Sequence, residues 1–353
     1  MPSQCKPPSA GPFFRSVDTV TSAELHASGE DVTSRRTPVL VKGATSGWPA
    51  ARLWDFDYLA AVCGCGTCYT RRLPCPARAH LLPAFASSLR SDTQTSFYDG
   101  GPAEQGATLA PLTLPVGPYL TRLGALPSSA PPPEQCVVLP LAEPAADGAA
   151  FALNWGFAPR PREPYLAQWS ILDSFPRLRA DLRVRDLWPS RWRLVWEHVF
   201  LGPAGTVTGL HYDWNPNIFT NLRGVKDWIL FPASAGHALQ PSRKFDWGAT
   251  CSSVDVSRLA AMPPAVRERF VAARGGWYAR VEPGDALVVP PGTWHAVVAR
   301  TPCISVSVFG LTVWQVLTSG LYMTLLAWAH ALGLYRRGNC TCCHNTGASK
   351  KAV

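Results

Sequence analysis

The chain has 353 residues, 47% of them hydrophobic and 16% charged, which fits a globular protein that buries a large core in one or two domains. Its eleven cysteines are not spaced as the framework of a small disulfide-stapled domain, so the sequence excludes that class and favours a reducing compartment. The net charge of +9 favours acidic partners such as nucleic acid, although an arginine-rich coding bias accounts for it equally well.

The first half of the chain has few regular elements that can be identified by pattern. Residues 1–35 are rich in proline, serine and glycine, which predicts a flexible segment. Residues 38–43 (PVLVKG) predict a short strand that ends in a turn. Apolar residues at helical spacing in 53–61 predict a short helix. Prolines and alanines in 125–148 predict a linker or a long surface loop.

The pattern changes from residue 165 onward. Residues 165–175 predict a helix, which Pro176 ends. Short apolar runs separated by glycine and proline follow at 196–202, 217–222, 226–231, 276–281, 286–289 and 303–309. This series predicts a mainly β domain with flanking helices, built as a barrel or a double-sheet jelly roll at about residues 190–310.

Residues 311–335 contain no Asp, Glu, Lys or Arg and predict an apolar C-terminal helix. Thr312, Gln315 and Ser319 form a mildly polar stripe along it. The length is sufficient to span a bilayer, so a membrane anchor is one alternative. A buried helix, or a helix that pairs two copies in a homodimer, is the other. A basic tail that contains cysteines follows at 336–353.

The strongest chemical signal is a set of three side chains that can bind a metal. His211 and Asp213 lie two residues apart in a predicted strand, so both point to the same face and can chelate one ion. His295 ends residues 290–295 (PPGTWH), whose turn is expected to direct it to the barrel mouth. Two histidines and a carboxylate with open positions suit Fe(II) better than a closed zinc site. A bare His-x-Asp pair is common, and unrelated side chains are the alternative interpretation.

The residues around these ligands are more specific than the ligands themselves. Residues 206–213 (TVTGLHYD) read T-x-x-H-x-D, and Lys226 follows in 224–232 (GVKDWILFP). Together with PPGTWH, about 36–310 resembles the JmjC and cupin-like family of Fe(II)- and 2-oxoglutarate-dependent oxygenases, most closely its protein-hydroxylase branch. The resemblance implies a double-stranded β-helix core, three protein ligands to iron, and 2-oxoglutarate as cosubstrate.

The resemblance also implies roles for four further residues. Lys226 would pair with the distal carboxylate of 2-oxoglutarate as a flexible point charge, and Thr208 would hydrogen-bond the same carboxylate. Tyr165 would reach the same end, and Asn217 would lie near the cosubstrate and the metal. Each residue has a structural alternative, as a solvated lysine, a turn or ladder residue, or a core aromatic.

The implied activity is that of a dioxygenase that converts 2-oxoglutarate and O2 to succinate and CO2 while it hydroxylates a protein side chain. Demethylation of an N-methyl group and hydroxylation of a tRNA base are the enzymatic alternatives, the second favoured by the positive charge. The non-enzyme alternative is a cupin-like binding module that retains its metal. Residues 1–15 lack the apolar core of a secretory signal, so the expected location is the cytoplasm or nucleus, with a membrane anchor as the alternative.

Two groups of cysteines are weaker candidates for a metal site. They are Cys63, Cys65, Cys68 and Cys75, and Cys340, Cys342 and Cys343 with His344. Neither group has two Cys-x-x-Cys pairs, so thiols that bind no metal are favoured over structural zinc. His198 lies in an apolar run and is expected to be a core histidine.

Overall fold

The structure, a computed structural model, describes residues 14–63, 88–90, 116–126, 137–138, 152–153, 165–169, 171–187, 192–243, 245, 248–252 and 275–336. Its strands are β1 (Arg15–Ser16), β2 (Asp18–Thr21), β3 (Val39–Lys42), β4 (Ser88–Arg90), β5 (Val137–Val138), β6 (Ala152–Leu153), β7 (Tyr165–Trp169), β8 (Trp192–Gly202), β9 (Val207–Asp213), β10 (Asn217–Arg223), β11 (Lys226–Phe231), β12 (Ala249–Cys251), β13 (Trp277–Val281), β14 (Ala286–Val289), β15 (Trp294–Ala299) and β16 (Cys303–Thr312).

The α-helices are α1 (Ser22–Ser28), α2 (Pro49–Leu53), α3 (Phe56–Cys63), α4 (Val116–Gly124), α5 (Ile171–Ser174), α6 (Val313–Gln315) and α7 (Leu321–Ala331). A π-helical turn, Val316–Gly320, joins α6 to α7. Short 3-10 helices lie at Val32–Ser34, Pro176–Asp181, Val184–Asp186 and Ala233–Leu239.

Two sheets form the core of the fold. The six-stranded sheet has the order β1-β13-β11-β15-β9-β12, and the eight-stranded sheet has the order β2-β3-β14-β10-β16-β8-β7-β4. Along β9, β10 and β11, and again from β13 to β16, consecutive strands alternate between the two sheets. This winding is that of a double-stranded β-helix, and it confirms the predicted mainly β jelly-roll architecture with flanking helices.

The sheets enclose one core, and the helices cover a second. Phe219 and Leu287 of the eight-stranded sheet pack with Leu230 and Val281 of the six-stranded sheet between the two layers. The outer cluster joins strand residues such as Val199 and Val306 to the helices, through residues that include Leu59, Tyr119 and Leu120. Strand residues therefore alternate between the two cores, as the two-residue period of a strand requires.

The predicted helix at 165–175 is wrong over its first half. Tyr165–Trp169 forms β7, which pairs with β8 through Leu166 and Leu201 and through Trp169 and Val199. Of the described residues in this segment, only the four of α5 are α-helical. The neighbouring strands supply backbone partners that outweigh the local helical spacing, because tertiary pairing overrides propensity.

The predicted helix at 53–61 is divided into α2 and α3. The division lies at Asp55, whose side chain accepts a hydrogen bond from the backbone N–H of Tyr58 (2.7 Å) and so caps the start of α3. The predicted strand at 38–43 is present as β3. The loop predicted at 125–148 lies almost entirely outside the described residues.

The N-terminal segment differs from its prediction as a flexible chain to residue 35. Within its described part, β1 pairs in parallel with β13, and β2 pairs in parallel with β3, so the segment extends both sheets. Thr21 then begins α1 with a capping box, in which its hydroxyl accepts from the backbone N–H of Glu24.

The C-terminal helical segment begins later than predicted. Leu311 and Thr312 belong to β16, and Thr312 caps the segment in a capping box with Gln315. The helical residues end at Ala331, before residue 335. Within the described residues, no helix has both the length and the apolarity needed to cross a bilayer.

One side of this segment is apolar and exposed to solvent. We call this surface the apolar helix face; its residues are Val313, Trp314, Leu317, Leu321, Tyr322, Leu325, Trp328 and Leu332. Trp314 is 73% exposed and Trp328 60% exposed. The opposite side, with Met323, Ala327 and His330, is buried against the domain.

Candidate metal centre

His211, Asp213 and His295 meet at one end of the six-stranded sheet. β9 carries His211 and Asp213 on the same face, and β15 pairs His295 directly opposite His211. One ligand atom from each residue lies within 4.8 Å of the others. The Nε2 atom of His211 is 4.0 Å from Oδ1 of Asp213, and that of His295 is 3.8 Å from Oδ2. This is the arrangement expected of three ligands on one face of an ion.

The turn before β15 fixes the position of His295. Gly292 has a φ of +77°, which favours glycine, and its N–H donates to the backbone oxygen of Asp213 (2.9 Å). The turn that ends the PPG segment is therefore bonded to the strand that carries the other two ligands. The sequence predicted the turn, and the structure adds its attachment to Asp213.

The imidazole rings are oriented by their own backbone. Nδ1 of His211 lies 2.8 Å from the oxygen of Gly209, and Nδ1 of His295 lies 2.9 Å from that of Thr293. A carbonyl oxygen only accepts, so each Nδ1 carries the proton and donates it. Each Nε2 therefore presents a lone pair towards Asp213, which is the tautomer that metal ligands adopt.

Burial keeps both histidines neutral. Burial and the adjacent His295 hold the pKa of His211 well below its ordinary value, and burial lowers the pKa of His295 to about 4. Two neutral imidazoles beside a carboxylate match the donor set of a non-haem Fe(II) site, with half of an octahedron left for other ligands. The residues present therefore fit such an ion.

Lys226 places a buried cation near this cluster. It begins β11, next to β15, and its side chain is 4% exposed. Its Nζ atom lies 5.1 Å from the ring centre of Phe219, 5.7 Å from that of Phe200 and 6.0 Å from that of Tyr165. Among the described residues it has no ion pair. Burial lowers its pKa to about 8. A buried ammonium among aromatic rings, with no carboxylate beside it among the described residues, suits an anionic ligand.

The structure brings Tyr165 and Thr208 to Lys226. The Tyr165 hydroxyl hydrogen-bonds the Thr208 side chain, and burial raises the pKa of that hydroxyl. Asn217 lies on β10, on the same face as Phe219, and is 4% exposed. Its Oδ1 atom accepts no hydrogen bond from the described residues. An idle buried acceptor, two hydroxyl groups and an ammonium are a set that can hold a small polar molecule.

Asp227 secures the strands that carry these groups. It is fully buried and accepts hydrogen bonds from the Tyr278 hydroxyl (2.7 Å) and from Nε of Arg280 (2.9 Å) on β13. It also pairs with Arg300, which follows β15. Burial alone would raise the pKa of Asp227, but the two guanidinium groups hold it below its ordinary value. The network therefore joins β11 to both of its neighbours.

Apart from Tyr165, sequence reasoning assigned no binding role to the aromatic residues at the site. Phe200 and Phe219 surround Lys226, and Trp228 stacks on His295 with ring centres 5.3 Å apart. A signal was present, because Trp228 lies two residues after Lys226 on a strand and so shares its face.

Two of the other candidates from sequence, Cys63 and His198, fall within the described residues. Of the cysteine groups, only Cys63 is described, and it is buried in the outer core. His198 is 3% exposed on β8, and burial lowers its pKa to about 4, which fits the expected core histidine. Within the described residues, the His211, Asp213 and His295 cluster is the one grouping able to hold a metal.

Comparison with known proteins identifies the domain. Residues 146–309 match the model of the cupin-like domain family. Together with the relatives below, this match makes the region similar to the JmjC and cupin-like oxygenase family. The match covers β6 to β15 and most of β16, so the matched region contains all three candidate metal ligands and Lys226.

Several curated proteins are similar to part of this chain. "Lysine-specific demethylase JMJ30" of Arabidopsis thaliana is 33% identical over 42% of this chain and 34% of its own length. "Jumonji C domain-containing protein 5" of Drosophila melanogaster is 30% identical over 40% of this chain and 35% of its own. "Lysine-specific demethylase 8" of Danio rerio is 23% identical over 83% of this chain and 58% of its own length. The chain thus spans about a third of the length of the first two.

Proposed function

We propose that the chain is an Fe(II)- and 2-oxoglutarate-dependent dioxygenase that oxidises a C–H bond of a protein. The observation that carries the proposal is the buried ammonium of Lys226, without an acidic partner among the described residues, on the strand next to the ligand His295. A metal cluster alone would also suit a binding module. A second, cationic subsite beside it supports a cosubstrate that has a carboxylate to neutralise.

Each side chain has a defined task in this proposal. His211, Asp213 and His295 would hold the iron, and iron with 2-oxoglutarate would supply the oxidation itself. Lys226 binds the far carboxylate of 2-oxoglutarate, and the hydroxyls of Thr208 and Tyr165 complete its hydrogen bonds. Asn217 offers its amide to the cosubstrate near the metal. The aromatic rings around Lys226 exclude water, which strengthens the ion pair.

Two outcomes follow from the same chemistry. Hydroxylation of a protein side chain is the first, and removal of an N-methyl group as formaldehyde is the second. Two of the relatives are named as lysine-specific demethylases, and these names favour removal of an N-methyl group. A protein substrate is common to both. The tRNA alternative depends on the net charge and on the substrate diversity of the family that the chain resembles, and it stays a prediction, as does a cytoplasmic or nuclear location.

The test is succinate formation from 2-oxoglutarate with Fe(II) and cell-extract protein. We expect the wild type to be active and the rate of succinate formation by Asp213→Ala to be lower by more than about 100-fold. That loss is larger than the loss expected on changing a residue that only supports a metal ligand. Asp57→Ala, which removes an exposed carboxylate from α3, is the matched control and should be unaffected. Equal activity of wild type and Asp213→Ala would contradict the proposal.

Mass spectrometry of the extract then separates the two outcomes. Hydroxylation adds one oxygen to a substrate peptide, whereas demethylation removes a methyl group and releases formaldehyde. Both products must depend on 2-oxoglutarate and be absent with Asp213→Ala.

A further inference from the structure

Trp228 lies between the metal cluster and the Lys226 subsite. It is 3% exposed, and its indole stacks on the His295 imidazole with ring centres 5.3 Å apart and planes 28° apart. The indole also contacts Phe219, edge to face, with ring centres 4.7 Å apart. Phe219 in turn lies under the ammonium of Lys226. Trp228 therefore contacts a metal ligand directly and the cosubstrate subsite through one ring.

The indole is an unfavourable choice for a residue that only fills space. Its Nε1 atom is buried and donates no hydrogen bond to the described residues, and an idle buried N–H destabilises a fold. Phenylalanine or leucine would fill the core without that disadvantage. The large flat surface laid on His295 is what the indole supplies in addition.

His295 needs such a contact because one hydrogen bond leaves it a degree of freedom. The bond from Nδ1 to the oxygen of Thr293 restrains one atom of the ring, but small coupled changes of the two side-chain torsions can still tilt its plane. The His211 ring lies next to the His295 ring, with ring centres 4.2 Å apart and planes 58° apart. Because the two planes are steeply inclined, His211 does not hold the His295 ring in one plane. The indole, nearly parallel to the imidazole, restricts the tilt.

We propose that Trp228 is a positioning residue that holds the plane of His295 and thereby sets the coordination geometry of the bound metal. The inference rests on the proposed metal role of His295. It concerns how the ligand is held, whatever the substrate of the enzyme.

The experiment uses Co(II) as the probe, because its affinity and its visible absorption spectrum both report coordination geometry without turnover. The full-length protein is titrated as wild type and as Trp228→Leu and Trp228→Phe. We expect Trp228→Leu to weaken Co(II) binding by about tenfold or more and to change the spectrum at saturation. Trp228→Phe keeps an aromatic ring on His295, so its Co(II) affinity and its absorption spectrum should both be close to those of wild type.

Trp48→Leu is the matched control. Trp48 is 2% exposed and lies in the outer core, so its replacement removes a buried indole that contacts no metal ligand. We expect its Co(II) affinity and spectrum to equal those of wild type. If Trp228→Leu is unfolded, Trp228→Met fills more of the volume without a flat ring and takes its place.

The outcomes separate this inference from the proposed function. Failure of wild type to bind Co(II) or Fe(II) would overturn the metal site itself. A wild type that binds Co(II), with Trp228→Leu equal to it in affinity and spectrum, would overturn only the positioning role. Equal changes in Trp48→Leu and Trp228→Leu would reduce Trp228 to an ordinary core residue.

Discussion

The Lys226 subsite and the apolar helix face are opposite exceptions to the rule that charged residues lie at the surface and apolar residues in the interior. One buries an ammonium among aromatic rings with no carboxylate among its described neighbours, and the other exposes two tryptophans and several leucines. Buried charges are normally paired, and monomers rarely expose contiguous apolar patches of this kind. Both features are therefore incomplete within the part of the chain that the structure describes.

The difference between them is what each would accept. The Lys226 subsite is small, enclosed and cationic, so a small anion completes it. The apolar helix face is open and contains no charged residue, so only a second apolar surface completes it. The following predictions test whether the two features are completed in these ways.

Replacing Lys226 by methionine should give the largest effect. Truncating one partner of a buried charge pair costs about 2–5 kcal/mol, so 2-oxoglutarate affinity should fall by about 30-fold or more. Without ligand, the same variant should be more stable by about 1 kcal/mol or more, because an uncompensated buried charge is gone. Calorimetric titration and denaturant unfolding measure the two quantities.

The opposite signs make this a strong test of the comparison. A Lys226→Met variant that loses both affinity and stability would indicate a packing role for the lysine. Lys42→Met is the control, since Lys42 pairs with Glu282 and Asp285 and should not affect 2-oxoglutarate binding.

The pH dependence of binding should give the next largest effect. The pKa of Lys226 in the empty site is about 8, and a bound carboxylate favours the charged form. Affinity for 2-oxoglutarate should therefore be highest, and constant, below that pH. It should fall about tenfold by about pH 9, one unit above the pKa. In Lys226→Arg the guanidinium stays charged, so its affinity, even if weaker, should not change over this range. A flat wild-type profile would exclude Lys226 as the cation.

Removing the hydroxyl of Tyr165 should have a smaller effect. Tyr165→Phe keeps the ring beside Lys226 but removes one hydrogen-bonding group, which is worth about 0.5–1.5 kcal/mol. We expect 2-oxoglutarate affinity to fall about threefold to tenfold by the same titration. Tyr58→Phe, whose hydroxyl donates to Asp181, should leave the affinity unchanged. An unchanged Tyr165→Phe would make Tyr165 a core residue only.

The oligomeric mass tests the apolar helix face and gives the smallest change, a factor of two. A homodimer through this segment is one of the alternatives that the sequence leaves open, and the exposed apolar face favours it. We therefore expect light scattering to report twice the monomer mass of 38.3 kDa. Leu321→Ser combined with Trp328→Ser should return the protein to monomer. Leu53→Ser, at an exposed leucine outside the face, should not. A monomeric wild type would contradict the homodimer.

Local sequence was sufficient to predict a strand or helix where the residue pattern fits only one kind of secondary structure. Lys226–Phe231 and Ala286–Val289 were predicted with the observed ends, because a run of apolar residues between glycine or proline turns has one stable form in a sheet. Tyr165–Trp169 failed, because its spacing also fits a helix and only pairing with β8 decides for the strand. The start of the C-terminal helical segment failed for the same reason, since β8 extends β16 to Thr312.

The candidate site divides in the same way. The spacing of His211 and Asp213 is a local property, and it predicts their shared face through the two-residue period of a strand. The position of His295 opposite His211 depends on the register between β9 and β15. That register is set by many backbone bonds distant in sequence.

The sequence by itself determined the residue types of the metal site, the β-rich class of the fold and the apolar character of the C-terminal segment. Tertiary structure decided that Lys226 lies among three aromatic rings, that Trp228 covers His295 and that Trp314 and Trp328 face solvent. The physical reason is that composition and period are fixed by near neighbours in the chain. Burial and charge pairing depend on residues brought together across two sheets.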